Sequence, residues 1–177
     1  MTKHNGLWMT TFTGRRFYPI DPHPDDICIE DIAHALSYIC RWGGHLTRFY
    51  SVGQHSIHVS DILPDKLKLK GLLHDAQEAY IGDCVKPLKV SLKDYQKIEN
   101  RLWLAICERF DIDPEFDQQI KDADNTMLCS ERRDLGVPGA RVCKAEKAFT
   151  PSKFKIPEMS MKKVEAKFLS EFERLTK

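Results

Sequence analysis

The stretch Leu72 to Asp83, LLHDAQEAYIGD, constrains this 177-residue chain more than any other. Its apolar residues Leu72, Leu73, Ala76, Ala79 and Tyr80 follow helical spacing, and a Gly82-Asp83 turn ends the run. On such a helix Glu78 shares a face with both His74, four residues back, and Asp75, three back. An adjacent His and Asp can ligate one ion only if further ligands converge from elsewhere. The chain must therefore fold so that separate elements meet around His74-Asp75.

With 42% hydrophobic and 30% charged residues, the sequence suits one domain over 1–177 with a substantial core. The 27 Lys and Arg nearly balance 26 acids, for a net charge of +1. That leaves no whole-protein attraction for nucleic acid or a membrane surface, so any anion site is local. The start, MTKHNGLWMTTF, lacks an apolar signal region, and no window is apolar enough to span a membrane, which points to a cytosolic protein. Cys28, Cys40, Cys84, Cys107, Cys129 and Cys143 lie far apart with no CxxC pair, the pattern of buried thiols.

Residues 1–24 read as a ribbon and turn: WMTTFTGRRFY flanks Thr13-Gly14 with strand formers, and PIDPHP, with His23 in a loop, follows. Asp25 and Asp26 stand where a helix N-cap would be, and Ile29, Ile32, Ala33, Leu36 and Ile39 predict a helix to about Cys40. His34 falls off that stripe, on the solvent side. Arg41-Trp42-Gly43-Gly44 ends regular structure and lets backbone approach a ligand closely, although packing for Trp42 and a helix-end charge for Arg41 are the plain alternatives. Val52, His55, Val59 and Ile62 share the next helical stripe, so His55 points inward and His58 outward.

Lys66, Lys68 and Lys70 read as a solvated helix start, and Lys86-Pro87-Leu88-Lys89 as a loop with two cations. An amphipathic helix runs from Leu92 to Phe110. Asp113-Pro114 opens another, whose stripe Phe116, Ile120, Asp124 and Met127 places an acid, Asp124, on an apolar face and turns Asp122 away. Residues 136–157 form a long connection that is a lid, an oligomer contact or a mobile loop. Residues 158–177 form a terminal helix with Met161, Val164, Phe168, Phe172 and Leu175 on one face.

Three segments thus offer inward polar groups, His55, His74-Asp75 and Asp124. Two imidazoles and two carboxylates form a mixed N/O set suited to Mn, Fe, Co, Ni or Zn rather than calcium. All seven histidines lie at or before His74, which favours one ion over a pair. There is no GxxxxGK[ST], no GxGxxG after a strand and no GxSxG, so phosphate would be held by side-chain cations and a metal.

The order His55, His74-Asp75, Asp124 resembles the H…HD…D signature of the HD-domain metal-dependent phosphohydrolases. Arg41-Trp42, Gln54-His55-Ser56, HDAQEAYIGD and the following KPLK are similar to the branch of bacterial 5′-deoxynucleotidases and small phage dATP triphosphohydrolases, over residues 11–134. The resemblance implies a mainly α HD-domain helical bundle with a short N-terminal β ribbon. It implies one divalent transition metal ion (Co, Mn or Zn, or else Mg) on His55, His74, Asp75 and Asp124, with Glu78 and Asp83 acting on the attacking water or the leaving group. Arg41 and Lys89 would hold phosphate, and Trp42 would pack on the sugar and exclude a ribose 2′-hydroxyl. Gln54 stands where the deoxynucleotidases usually carry Glu, which together with TGRRF favours the phage-like branch.

The implied activity is dATP hydrolysis to deoxyadenosine and triphosphate. The alternatives are a 5′-deoxynucleotidase acting on monophosphates and a catalytically silent nucleotide-binding module. The partners expected are a deoxynucleotide and further copies of the chain, with no nucleic acid or membrane, in the cytoplasm, or the host cytoplasm if the protein is phage-encoded.

Overall fold

A computed structural model describes residues 4–115, 117–141 and 147–177. Cys143 and Phe116 lie outside the described residues. The architecture is mainly helical with one short two-stranded antiparallel sheet, β1 (Met9–Thr10) and β2 (Arg16–Phe17), paired Met9 to Phe17 and Thr10 to Arg16. Gly14, at φ 82°, makes the turn. Two contacts dock the ribbon. Buried Asp31 accepts from Thr13 N at 2.7 Å and Thr13 Oγ1 at 3.0 Å, and the buried Phe17 ring stacks on Tyr80 at 3.9 Å.

The helices are α1 (Ile29–Tyr38), α2 (Val52–Asp61), α3 (Asp65–Leu73), α4 (Glu78–Ile81), α5 (Lys86–Lys89), α6 (Lys93–Phe110), α7 (Gln118–Leu135) and α8 (Met161–Leu175). Asp25 and Asp26 fall within a 3-10 turn, Pro24–Asp26, and cap nothing: the N-cap of α1 is Cys28. The KPLK stretch is helical rather than a loop, because Pro87 in its first turn needs no N–H partner. The helix expected from Asp113-Pro114 starts later, at Gln118, where the Asp117 carboxylate accepts from Gln119 N and Ile120 N. Among the described residues no helix is long and apolar enough to cross a membrane.

Helix α2 is the axis of the fold. It packs against α1, α3, α7 and α8, so every residue from Val52 to Ser60 is buried. Val52 and Ile57 join the core shared with α1, α3, α6 and α8, while Val59 joins a second cluster with Ile120, Ala123 and Met127 of α7. His58, expected on a solvent face, is therefore 4% exposed, lying beside the Tyr50 and Phe154 rings. A helix surrounded by neighbours has no solvent face for a polar side chain to occupy. His34 is likewise half-buried, stacked on Phe12 at 3.6 Å and Tyr38 at 4.6 Å.

The close crossing of α1 over α2 needs Gly53: a Cβ there would sit 3.1 Å from the Leu36 carbonyl carbon and 3.2 Å from Ser37 N. Gly53→Ala is expected to cost about 1–3 kcal/mol by pushing the helices apart. Urea denaturation measures it, and an unchanged or higher midpoint would contradict the packing account.

Phe168, fully buried, and Val164 place α8 on the monomer's own core, so these residues do not form a free subunit surface. Burying the Phe168 ring contributes about 1.5–3 kcal/mol. Of the long connection, residues 152–157 are fastened down. Arg133 Nη2 donates to Phe154 O at 2.6 Å, Gln54 Nε2 to Pro157 O at 2.8 Å and Arg48 Nη2 to Ile156 O at 2.9 Å. Asp134 accepts from Arg133, from Lys155 Nζ at 2.8 Å and from Ile156 N at 3.0 Å.

The Arg133 guanidinium, with Lys155 and Ile156 N adding to it against partial burial, holds the Asp134 carboxyl below the usual carboxylate range. Its stabilising contribution is complete above the unfolded pKa of about 3.9 and is lost as pH falls towards the depressed folded value. Asp134→Asn is accordingly expected to speed hydrogen exchange at Ile156 N–H at neutral pH. The wild type should show that loss only below about pH 4. Equal protection in both proteins at neutral pH would refute the clamp.

Candidate metal centre

His55 reaches the centre of the molecule because Ser51 caps α2, its Oγ accepting from Gln54 N at 3.1 Å. Its ring is fully buried, and Nδ1 lies 2.6 Å from Glu131 Oε1 on α7. A carboxylate accepts and the imidazole donates, which directs Nε2 to the opposite side. There Nε2 is 3.4 Å from Asp124 Oδ1 and 3.7 Å from Asp75 Oδ2.

His74 and Asp75 do not lie inside one continuous α-helix. Helix α3 stops at Leu73, and tight i to i+3 bonds follow, from Ala76 N to Leu73 O and from Glu78 N to Asp75 O, before α4 begins. Three residues per turn bring Asp75 and Glu78 into register more closely than an α-helix does. His74 Nδ1 lies 2.8 Å from Gly71 O. A carbonyl only accepts, so Nδ1 carries the proton and Nε2 presents a lone pair.

Both Nε2 atoms are buried and neither has a hydrogen-bond partner. One ligand atom each from His55, His74 and Asp124 lies within 4.8 Å of the others, a group that could hold a metal ion. Asp75 adjoins it, its Oδ2 3.2 Å from His74 Nε2. Each imidazole has its far nitrogen fixed by an acceptor, the arrangement that orients metal-ligating histidines. Burial and Arg41 push the His55 pKa down, but Glu131 and Asp124 outweigh them and raise it to about 9. Asp75 and Asp124 are held below the usual carboxylate range against their burial, Asp75 chiefly by His74 and Asp124 chiefly by His55.

Glu131, which the sequence reading did not single out, organises the other side. It is fully buried and accepts from His55, from Trp42 Nε1 at 2.7 Å and from Arg41 Nε at 3.3 Å. Its signal was its position seven residues after Asp124, on the same stripe as Ile120 and Met127. Arg41 also bridges to Asp75, with Nη1 at 3.3 Å. The loop carrying Arg41 and Trp42 is closed at its base by Arg41 N to Tyr50 O and Val52 N to Ile39 O. Trp42 adopts φ 58°, unusual for a bulky residue, and its bond to Glu131 helps to hold it there.

Glu78 is 5% exposed, with Oε2 unpartnered. Burial first, then the charges of Asp75 and Asp83, push its pKa up to about 10, and burial also raises that of Asp83. Lys89, expected to hold phosphate, is ion-paired with Glu99 on α6. The indole N–H of Trp42 is likewise committed to Glu131.

No protein-family profile matches the chain. It is 44% identical over 130 residues to the uncharacterized protein YfdR of Escherichia coli K12, covering 73% of each chain. The chain belongs to the YfdR family. Another relative, an uncharacterized protein of Rhodobacter capsulatus, is 37% identical over 126 residues, 66% of this chain and 64% of that protein. The chain therefore spans less than two thirds of that second relative's length.

Proposed function

We propose that this member of the YfdR family is an HD-domain metal-dependent phosphohydrolase acting on deoxynucleotides, with dATP as substrate and deoxyadenosine and triphosphate as products. The observation that carries the reading is the pair of buried, unpartnered imidazole Nε2 atoms facing Asp124, each with its Nδ1 already bound. His55, His74, Asp75 and Asp124 would hold one divalent ion, of Mn, Co, Zn or Mg. Such an ion polarises a phosphoryl oxygen and lowers the pKa of bound water towards about 7.

Water adds across the bond between O5′ and the α-phosphorus, the hydroxyl going to phosphorus and a proton to O5′. Glu78 takes the proton from the attacking water. Burial is the largest cause of the raised Glu78 pKa and Asp75 the strongest charge behind it, so an ion held by Asp75 would offset that charge and favour Glu78 as a base. Asp83, its pKa raised by burial, supplies the proton to O5′. Arg41 uses Nε and Nη1 within the protein, which leaves other guanidinium N–H groups for phosphate.

The test is to strip the protein of metal and supply dATP, dAMP, ATP and the other deoxynucleotides with Mn, Co, Zn or Mg, resolving products by chromatography. Triphosphate from dATP, dependent on metal, supports the reading. Phosphate from dAMP alone replaces it with a 5′-deoxynucleotidase, and no turnover with any metal leaves a nucleotide-binding module.

A further inference from the structure

A cavity of about 300 Å³ lies between the N-terminal ribbon, α1 and α4, and none of the candidate metal ligands lines it. Ala35 and Ala79 are small enough to leave the space, Met9 and Phe12 of the ribbon form an apolar side, and Asp31 and Tyr80 bring polar groups to it.

Both polar groups are unusual for so enclosed a place. Asp31 is 2% exposed, and its partners are the neutral N–H and hydroxyl of Thr13; among the described residues no cationic side chain pairs with it. Two neutral donors satisfy the carboxylate oxygens without cancelling the charge, and a buried charge with no counter-ion is costly to keep. Tyr80 is 6% exposed, and its buried hydroxyl makes no hydrogen bond. That hydroxyl feels the Asp31 charge without bonding to it: burial, opposed by the Cys28 backbone and reinforced by Asp31, raises its pKa. One ammonium, with three donors, can serve the carboxylate and the hydroxyl oxygen together.

The rest of the lining suits the body of such a cation. Phe12 is 60% exposed and lies parallel to the His34 ring at 3.6 Å, and Met9 is 37% exposed. Apolar surface at the mouth covers a hydrocarbon body, and aromatic faces attract a cation. Glu165, at 3.2 Å from His34 Nδ1, adds a second carboxylate on that side of α1. Of the cations on the ribbon, Arg16 lies over the Trp8 ring and Arg15 is exposed.

We propose that this cavity is a binding site for a compact organic ammonium, its charged head between Asp31 and Tyr80 and its hydrocarbon body against Phe12 and Met9. The site is separate from the metal centre and does not rest on the phosphohydrolase reading. Glu78 shares the four-residue turn α4 with Ala79 and Tyr80 but not the lining, so an occupant rests on the turn that also carries Glu78.

The experiment titrates phenethylammonium and its neutral counterpart 2-phenylethanol into the full chain and follows amide chemical shifts, with the Thr13 and Ala79 N–H groups as reporters. The ammonium should bind with a Kd of about 1 mM or below, within what about nine non-hydrogen atoms allow, and at least about tenfold more tightly than the alcohol. Tyr80→Phe keeps the ring and should weaken the ammonium about 3–10-fold, while Ala35→Leu fills the cavity and should abolish binding. Asp31→Asn should bring the ammonium down to the affinity of the alcohol. Because Asp31 also docks the ribbon, Tyr80→Phe and Ala35→Leu keep the test decisive if that variant loosens it. Equal affinity for the two probes, shifts confined to other parts of the chain, or ammonium binding unchanged in both Tyr80→Phe and Ala35→Leu overturns the site.

Discussion

Asp124→Ala is expected to abolish tight divalent-ion binding and to lower deoxynucleotide turnover by about three orders of magnitude or more. Asp124 supplies a carboxylate within reach of two buried imidazole Nε2 atoms that make no hydrogen bond. With it gone, the cluster loses a ligand and much of the negative charge that attracts a cation into a buried site. Calorimetric titration with Co or Mn, beside product chromatography on the same preparations, reads both effects. In the wild type, ion at one hundred times its Kd should add about 2.7 kcal/mol of stability, and the variant should lose that increment. A variant that binds the ion like wild type, or turns over substrate at a comparable rate, would exclude Asp124 as a ligand.

Glu131→Gln is expected to weaken metal binding by about 10–100-fold although Glu131 is not among the candidate ligands. The glutamine keeps the shape but loses the charge that holds the His55 Nδ1 proton and balances Arg41. Because Arg41 is pulled by both Glu131 and Asp75, losing one partner shifts it towards the other, and so towards a metal ligand candidate. Glu131→Ala should add a fold defect of about 3 kcal/mol, because the buried guanidinium then loses one of its two carboxylates and the His55 Nδ1 and Trp42 Nε1 donors lose their acceptor. Denaturant melts of the two variants separate charge loss from collapse of the network. Wild-type metal affinity in Glu131→Gln would show that the His55 ring is oriented by packing alone.

Much of the fold was legible because helical periodicity reports which face of an element turns inward, whatever occupies that face. His55 and Asp124 were found this way, as polar residues on apolar stripes. The ribbon followed from strand formers around Thr13-Gly14. Glu131 lies on the stripe of Asp124, seven residues on, but the sequence reading of that stripe ended at Met127. His58 could not be read correctly from α2 alone. Periodicity compares the faces of one helix, and it does not say that four other helices cover all of them.

The sequence by itself determined the longer helices, apart from their ends, and that His55 and Asp124 lie on inward stripes, since both depend on spacing along a short length of chain. Only the tertiary structure decided that these two converge with His74 and Asp75, that Glu131 clasps Arg41 from ninety positions away, and that Lys89 is tied to Glu99 and Lys121 to Asp124. It also decided the break of the helix at His74, where the ring bonds the Gly71 carbonyl. Contacts between distant elements depend on how every helix packs, and a difference of one turn in that packing exchanges one lysine for another beside the same site.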